Sequence, residues 1–424
     1  MTILKNVAIL AGGRIPFQPS GTVYKKLANI DLLKLAFNGV LDKTNIDINE
    51  IDNVIAGNVI QEVTTSNVAR EAALACNIPK KIPAITIAQA CISSAQSVSL
   101  GCDKIKLGEA DLVLTGGVET FSDVPIRYPK KMRQWLIDFP KESKKGSLHT
   151  FKYLSQLSPS YFKPQPPALS NYTTGELMGF TSEKIAERFG VSRKDMDEFT
   201  IRSHHLADQA HQKNNYDNEI FAFNGSIKEN NIRPTLDLNK ISSMKASFKK
   251  GGTHTAANSS GLTDGATSCL ISSVEKAKQL NLNPLGYIID SVFVGTDPYQ
   301  EMLLGPAYAI PKLLQRNNLN LKDIDVFEIH EAFAGQILAN LNALNTESFC
   351  QENFNKSKIG EIPLDKLNLW GGSLAIGHPL AASNIRNIMT AVNRLEKEDK
   401  EIALVAACAD SGLANAMLIK RKIN

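Results

Sequence analysis

The sequence AITIAQACISSAQSV, residues 84–98, passes from an apolar, strand-like run into a helix-like run of small polar residues. A single cysteine, Cys91, lies where the two runs meet. A lone cysteine at such a turn is more often structural than reactive, because free cysteine behaves as a small hydrophobe. Whether Cys91 is a buried thiol or a nucleophile therefore depends on the rest of the chain.

The elements around this stretch occur twice, in the same order. The first half contains IDNVIAGNVI (51–60), a helical stretch, AITIAQAC (84–91), a helix over about 93–106, and ADLVLTGGVET (110–120). The second half contains IDVFEIHEAF (324–333), a helical stretch, LWGGSLAIGHP (369–379), a helix over about 382–395, and IALVAACADSG (402–412). Buried Val, Ile and Leu runs that alternate with amphipathic helices indicate βα units. The pattern predicts an α/β fold of two similar halves with mainly parallel sheets, and with chemistry in the loops after corresponding strands.

Residues 121–250 differ in character and predict an inserted, loop-rich subdomain. Between residues 127 and 163 there are nine Lys or Arg against two Asp or Glu. This excess is consistent with a solvated surface, with attraction for an anionic ligand such as a phosphorylated cofactor, or with an acidic membrane surface or partner. The apolar residues of the segment add a short amphipathic membrane contact as a hypothesis; they are Trp135, Leu136, Ile137 and Phe139.

Composition limits the classes of function. At 424 residues with 43% hydrophobic and 21% charged residues, the chain is expected to form two or three globular domains. A net charge of +4 gives no reason to expect nucleic-acid binding, and no apolar stretch approaches the ~18–20 residues that span a bilayer. The amino terminus lacks a signal-peptide pattern, so we expect a cytoplasmic protein.

Metal and nucleotide motifs are also missing. Six cysteines without a C-x-x-C pair predict reduced thiols rather than disulfides or a zinc site. The histidines at 204, 205 and 211 have no completing ligand spacing, and we expect them on a polar helix face. No phosphate-binding loop or dinucleotide fingerprint occurs.

Reactive side chains recur at the carboxyl ends of the repeated strands. Cys91 and His378 occupy matching positions in the two halves, Cys408 matches Gly116 and Gly117, and His330 follows its own strand. Singly each is weak evidence. Two thiols and two imidazoles at the strand ends where α/β folds place active sites make Cys91 a candidate nucleophile.

Six motifs now point to a family. QACISSAQ, GGVETFSDVP, NSSGLTDGA, HEAFAGQ, GGSLAIGHP and VAACADSG, in this order, resemble the motif series of thiolases over nearly the whole chain. HEAF in place of NEAF, with TSNVAREAAL and SDVPIRYPKKMR, resembles the branch of 3-ketoacyl-CoA thiolase (β) subunits of the fatty-acid β-oxidation trifunctional complex and their bacterial counterparts.

The resemblance implies a five-layered αβαβα fold and thiolytic release of acetyl-CoA from a 3-ketoacyl-CoA. It implies an N-terminal half of residues 1–125 plus 246–288, an inserted coenzyme A-binding loop domain of residues 126–245, and a C-terminal half of residues 289–424. Coenzyme A would be a co-substrate, with no permanently bound cofactor and no metal. The partners implied are a second copy of the chain and an α subunit with enoyl-CoA hydratase and 3-hydroxyacyl-CoA dehydrogenase activity.

The implied chemistry assigns a role to each reactive group. Cys91 would be the nucleophile, with its thiol pKa lowered by the helix amino terminus. His378 would take its proton and donate to the substrate oxyanion. Cys408, with a pKa near neutrality, would transfer a proton at the carbon of the departing enolate, and His330 would contribute to the first oxyanion hole, where other thiolases have Asn.

Further roles also rest on the resemblance. Backbone N–H groups of Cys91 and Asp410 would form a second oxyanion hole, and Ser260 and Met178 would bind substrate. Thiolases usually carry glycine at four positions of this chain, namely Ala381, Asn384, Asp410 and Ser411. Glycine often serves where φ is positive, and the Asp410 carboxylate is expected to raise the pKa of Cys408.

Three alternatives stay open at this point. A biosynthetic thiolase that forms acetoacetyl-CoA would use the same groups. A Claisen-condensing ketoacyl synthase would have no use for Cys408. A non-catalytic lipid-binding or assembly subunit would need none of the four reactive groups.

Overall fold

The computed structural model describes residues 5–423. Its strands are β1 (Val7–Arg14), β2 (Gln18–Pro19), β3 (Asn53–Gly57), β4 (Ala84–Ile87), β5 (Leu112–Glu119), β6 (Thr263–Ser273), β7 (Gly286–Gly295), β8 (Val326–Ile329), β9 (Ile402–Ala409) and β10 (Leu413–Lys420). Its helices are α1 (Asn29–Thr44), α2 (Val68–Ala75), α3 (Ser93–Lys106), α4 (Lys130–Ser143), α5 (Ser147–Leu154), α6 (Met178–Arg188), α7 (Arg193–Gln212), α8 (Leu238–Ser242), α9 (Val274–Gln279), α10 (Pro306–Arg316), α11 (Ala334–Leu344), α12 (Glu347–Phe354), α13 (Ser373–Ile376) and α14 (Ser383–Lys397).

The strands follow one path in the order β4-β3-β5-β6-β1-β7-β10-β9-β8, with β2 paired to β6. Within residues 5–423, only β3–β4, β3–β5 and β8–β9 are parallel; the other six pairings are antiparallel. The prediction of mainly parallel sheets is therefore wrong. The last strand of each half, β6 or β10, follows a loop or turn rather than a crossover helix. Such a strand can pair antiparallel with its neighbour, because only parallel neighbours need a crossover connection.

The internal repeat is visible in this order. The run β3-β5-β6-β1 of the first half corresponds to β8-β9-β10-β7 of the second, and the halves join where β1 pairs with β7. β4 has no complete counterpart, because a single bridge between Phe327 and Leu367 takes its place. The segment that follows this bridge, which contains LWGGSLAIGHP, instead forms the short helix α13.

The helices form three layers around the two half-sheets. α1 and α2 share an apolar cluster with the outer face of the first half, and α10 and α11 share one with the outer face of the second. Between them, α3 and α14 contact each other and share a third cluster with strands of both halves. The order is helix, sheet, helix, sheet, helix, which confirms the five-layered fold. Both central helices lose most of their surface to this core, and α14 is buried from Ser383 to Leu395.

The first turns of the two central helices are joined directly. Ile385 N–H donates to Ser94 Oγ at 3.2 Å, which links α14 to α3. Gly117 of β5 lies against both, since an added Cβ would overlap the Ala381 carbonyl oxygen and the Ser94 side chain. The loops that precede α3 and α14 are held together as a result.

The segment between β5 and β6 contains α4 to α8 and is less loop-rich than expected. α6 and α7 pack on α11 and join the apolar cluster of the second half. α4 and α5 form a hairpin with its own aromatic contacts, in which Trp135 stacks on Phe139 and Tyr153 at centroid distances of 5.0 and 5.2 Å. The boundaries of the loop domain, residues 126–245, stay a prediction.

The histidines of α7 differ from one another. His205 is exposed as expected, but His204 is buried and its Nδ1 accepts the Arg233 N–H at 3.1 Å. Burial lowers the pKa of His204 to about 4. The polar-face prediction is therefore wrong for His204, because α7 is covered on two sides by the insertion and the second half.

Candidate active site

Cys91 lies in a tight turn between β4 and α3. Ala90, just before it, has φ +46°, a left-handed conformation that costs a non-glycine residue energy. Ser93 holds the turn, since its hydroxyl donates to the Ala90 carbonyl at 2.7 Å and accepts the Gln89 N–H at 2.8 Å. The turn presents Cys91 at the carboxyl end of β4, where it is half-buried while the other five cysteines are buried.

His378 meets Cys91 from the second half. Its Nε2 lies 3.2 Å from Cys91 Sγ, and its Nδ1 lies 2.6 Å from Ser383 Oγ at the start of α14. Gly377 precedes it with φ +108°, and a Cβ there would crowd Thr263 and Asn231. The glycine of the GHP motif is thus needed both for its backbone conformation and for the close approach.

His330 lies beside His378. Its backbone N–H donates to the Ala406 carbonyl at 2.9 Å and continues the β8–β9 ladder. Its ring centroid is 4.2 Å from that of His378. Nδ1 is 2.9 Å from Ser373 Oγ. Nε2 is buried and has no hydrogen-bond partner in the described part of the chain. This Nε2 therefore has unused hydrogen-bonding capacity.

The end of β9 completes the site. Cys408 is buried in β9, and its burial together with the nearby Cys91 raises its pKa. The backbone amides of Asp410 and of Cys91 itself lie near the Cys91 sulfur, where they act to lower its pKa. These are the two N–H groups predicted for the second oxyanion hole. The fold brings Cys91, His330, His378, Cys408 and the Asp410 backbone together from strand ends of both halves.

The ionisation of the thiols departs from the prediction. Burial raises the pKa of Cys91 to about 12, and the Asp410 carboxylate contributes to the rise, against the lowering that was expected from the helix amino terminus. Burial also raises the pKa of Cys408 well above its ordinary value, rather than leaving it near neutrality. The Asp410 charge acts on Cys91, and its predicted effect on Cys408 stays a prediction.

The imidazoles are neutral as well. Burial lowers the pKa of His378 to about 3, and the Arg386 guanidinium contributes to the lowering. The pKa of His330 is held well below its ordinary value by burial, His378 and Arg386. The resting pair is therefore a neutral thiol that faces a neutral imidazole. This pair favours a transfer of the Cys91 proton to His378 that accompanies bond formation at sulfur over attack by a preformed thiolate.

Asp410 and Ser411, at positions where the resemblance implied glycine, form a hydrogen-bonded unit. Asn171 Nδ2 donates to Asp410 Oδ1 at 2.7 Å and to Ser411 Oγ at 3.0 Å, and the Ser411 N–H donates to Asp410 Oδ1 at 2.6 Å. Ser411 has φ +66°, so it occupies a conformation that favours glycine. The insertion, through Asn171, thus holds a charged loop over the sulfur.

Ala381 and Asn384 do not carry positive φ. Ala381 is fully buried, and its N–H points to Glu119 Oε2 at 3.4 Å. Asn384 lies in the first turn of α14, and its amide donates to the Cys91 carbonyl at 2.8 Å. A glycine at 384 could not make this bond, which is typically worth about 0.5–1.5 kcal/mol.

Two buried carboxylates support the site and were missed by sequence reasoning. Glu119 accepts the N–H groups of Val59 and Ile60 at 3.1 and 2.9 Å, and burial raises its pKa to about 7. Glu331 accepts from Ser203 and Asn368 at 2.7 Å each. The two carboxylates lie within the motifs GGVET and HEAF, so their positions in those motifs were the available signal.

The two predicted substrate residues, Ser260 and Met178, lie in different elements. Ser260 is half-buried, its N–H donates to the Ala332 carbonyl at 3.0 Å, and Leu262 of the same loop bridges to His378. Met178 begins α6 and packs against the apolar cluster that includes Cys408. The substrate-binding roles of both residues stay predictions, as do the catalytic roles above.

Comparisons with known proteins agree with this geometry. The models for "Thiolase, N-terminal domain" and "Thiolase, C-terminal domain" match residues 7–275 and 282–421. The chain therefore belongs to the thiolase family, a family of acyltransferases.

Individual relatives show which thiolases the chain is similar to. The chain is 44% identical to a "Probable 3-ketoacyl-CoA thiolase" of Caenorhabditis elegans, over 98% of this chain and 94% of the relative. It is also 44% identical to "Trifunctional enzyme subunit beta, mitochondrial" of Mus musculus, over 98% and 88%. The crystal structure of human mitochondrial 3-ketoacyl-CoA thiolase in complex with CoA matches with a TM-score of 0.84 at 28% identity, with 100% of each chain covered.

The Asp410 carboxylate is predicted to slow the reaction of Cys91 with electrophiles. Its charge raises the thiol pKa, so Asp410→Asn lowers that pKa and increases the thiolate fraction at any pH below it. We expect iodoacetamide to alkylate Cys91 several-fold faster in Asp410→Asn at pH 8, measured by mass spectrometry. Asp399→Asn, just beyond the far end of α14, is the matched control and keeps the original rate. An unchanged or slower rate in Asp410→Asn contradicts this role of the charge.

Proposed function

We propose that the protein is a 3-ketoacyl-CoA thiolase of fatty-acid β-oxidation, an acetyl-CoA C-acyltransferase with Cys91 as the acylated residue. The observation that carries this proposal is the 3.2 Å contact between Cys91 Sγ and His378 Nε2, with the free Nε2 of His330 and the thiol of Cys408 beside it. The names of the worm and mouse relatives support the substrate class, and the human thiolase structure in complex with CoA supports coenzyme A as co-substrate.

The first half-reaction transfers the acyl group to the enzyme. As Cys91 Sγ bonds to the ketone carbon, its proton passes to His378 Nε2. The new oxyanion, on the carbon bonded to Sγ, accepts hydrogen bonds from the N–H groups of Cys91 and Asp410, which lie near the sulfur. A well-aimed donor of this kind is typically worth about 2.7–4 kcal/mol.

Collapse of this intermediate breaks the bond between C2 and C3. The electron pair moves to the enolate of acetyl-CoA, whose oxygen accepts hydrogen bonds from His330 and from the protonated His378. Cys408 gives its proton to C2, and acetyl-CoA leaves. A raised thiol pKa suits this step, since an enolate carbon is a strong base and Cys408 must hold its proton until the bond breaks.

The second half-reaction releases the shortened chain. A coenzyme A thiol attacks the Cys91 thioester and gives its proton to the Cys408 thiolate, while His378 returns its proton to Cys91. Both thiols are then restored. Because acetyl-CoA leaves before coenzyme A reacts with the acyl-enzyme, the kinetics are ping-pong. The biosynthetic alternative runs the same steps in reverse; the HEAF motif and the names of the relatives favour the degradative direction.

The assembly we propose includes a homodimer. β4 is an edge strand of the described sheet, and its Ile85 side chain is 47% exposed. Edge strands present unpaired N–H and C=O groups that another strand can complete. Because β4 runs directly into the Cys91 turn, a second copy paired there would also shield the nucleophile.

The mouse relative is named as the β subunit of a trifunctional enzyme, so we propose an α subunit as a partner of this chain.

The inserted segment supports a second kind of partner. Its α4–α5 hairpin combines lysines with exposed apolar side chains, of which Ile137, Leu148 and Phe151 are 74% or more exposed. This combination supports peripheral contact with an anionic membrane. No helix of the described residues is long and apolar enough to cross a bilayer. Coenzyme A binding by residues 126–245 and a cytoplasmic location remain predictions.

Thiolysis is tested with purified protein, 3-ketoacyl-CoA substrates from C4 to C16 and free coenzyme A. Loss of the enolate absorbance measures turnover, and we expect Cys91→Ser to lower kcat by at least about 10³-fold without changing the fold, because the hydroxyl is a far weaker nucleophile. Cys76→Ser, at a buried thiol outside the site, is the control and keeps activity. Wild-type protein that consumes no 3-ketoacyl-CoA of any length contradicts the proposed function.

The hairpin is tested with sedimentation on vesicles. Wild-type protein should bind vesicles rich in anionic lipid more than neutral ones, and Ile137→Asp with Leu148→Asp should abolish binding because two charges would enter the apolar region. Val63→Asp removes a similarly exposed apolar side chain outside the hairpin, and binding should persist. No vesicle binding by the wild type, or equal loss in the control, excludes the membrane contact.

A further inference from the structure

The two active-site imidazoles have different neighbours on their Nδ1 atoms, and those neighbours are serines in different environments. His330 Nδ1 lies 2.9 Å from Ser373 Oγ, and His378 Nδ1 lies 2.6 Å from Ser383 Oγ. A neutral imidazole carries one hydrogen, and the partner at one nitrogen decides whether the other nitrogen is a donor or an acceptor. The serines therefore determine what each Nε2 can do.

Ser373 has only one place for its hydrogen. Its hydroxyl is fully buried, and in residues 5–423 its oxygen contacts two side chains, His330 Nδ1 and Arg386 Nη2 at 3.0 Å. A guanidinium can only donate, so Arg386 occupies an acceptor position of Ser373. The Ser373 hydrogen must then point to His330 Nδ1, because a buried hydroxyl without an acceptor is costly. His330 consequently carries its hydrogen on Nε2.

Ser383 accepts a hydrogen bond from its histidine, whereas Ser373 donates one. Its hydroxyl can donate to the Pro379 carbonyl at 3.4 Å, which leaves its oxygen free to accept the hydrogen of His378 Nδ1. His378 Nε2 then carries a lone pair, and it faces Cys91 Sγ. Two rings 4.2 Å apart therefore hold opposite tautomers.

We infer that Ser373, oriented by Arg386, is a positioning residue that fixes His330 as the Nε2–H tautomer, so that His330 is a hydrogen-bond donor while the adjacent His378 is a base. This inference deepens the proposed function and rests on it for the identity of the acceptor, the enolate oxygen of acetyl-CoA that forms when the bond between C2 and C3 breaks. The unpartnered, buried Nε2 of His330 is the hydrogen-bonding capacity that this oxyanion would satisfy.

Low pKa values favour such an arrangement. Burial and the Arg386 charge keep both rings neutral, and only a neutral ring has a tautomer to set. Arg386 itself pairs with the buried Glu328 at 3.6 Å, so its position does not depend on substrate. The donor is therefore in place before the oxyanion forms, which is the condition for transition-state stabilisation without reorganisation.

A spectroscopic measurement tests the inference without any substrate. In protein with ¹⁵N-labelled histidine, assigned through His330→Asn and His378→Asn, we expect His330 to be protonated at Nε2 and His378 at Nδ1. Ser373→Ala should remove the preference at His330 and leave His378 unchanged. A hydrogen on Nδ1 of His330 in the wild type overturns the inference.

Kinetics provide the second test. Ser373→Ala should lower kcat by about 10- to 100-fold with little change in KM, since the donor acts on the transition state. Combined with His330→Asn, whose amide donates without a tautomer, Ser373→Ala should cause no further loss. An equal loss in both backgrounds shows a merely structural role for Ser373. Absence of all turnover in the wild type would refute the proposed function instead, and the tautomers would still be decided by the spectra.

Discussion

The contact between the first turns of α3 and α14 is the constraint on which the site depends. Asn384 donates to the Cys91 carbonyl and Ile385 N–H donates to Ser94 Oγ, so the loop before α3 is tied to α14 and the two helices are tied to each other. Because both helices lie between the half-sheets, this contact is shielded from water and covered by apolar residues of both halves. Cys91 from one half and His378 from the other are thereby held at hydrogen-bond distance.

Burial at this contact determines whether the Cys91 sulfur is a thiol or a thiolate before it reacts. A surface cysteine next to a helix amino terminus would carry a lowered pKa and react as a thiolate. Here desolvation exceeds that effect, and the carboxylate of Asp410 adds to it. In the proposed mechanism, charge develops only as the substrate carbonyl is attacked, beside donors that are already oriented. The lower reactivity of a neutral nucleophile is offset by protection of the thiol from unwanted electrophiles.

The repeated order of elements was sufficient to predict the α/β class, the two halves and the gathering of Cys91, His330, His378 and Cys408, because carboxyl ends of matching strands meet in such folds. Strand direction was not predictable, since an apolar run reads alike in either orientation. The thiol pKa values were missed because spacing along the chain does not report depth. Asn171, Ser373 and Arg386 were missed for a related reason: each acts through a partner that is distant in sequence, and only the folded chain brings the pair together.

The central claim is that Cys91, paired with His378, takes the acyl group from a 3-ketoacyl-CoA. The most direct measurement is mass spectrometry of the protein after incubation with 3-ketohexadecanoyl-CoA in the absence of free coenzyme A. We predict one added tetradecanoyl group per chain, located on the peptide that contains Cys91 and removed by coenzyme A. An unmodified chain, or an acyl group on any other cysteine, would contradict that claim.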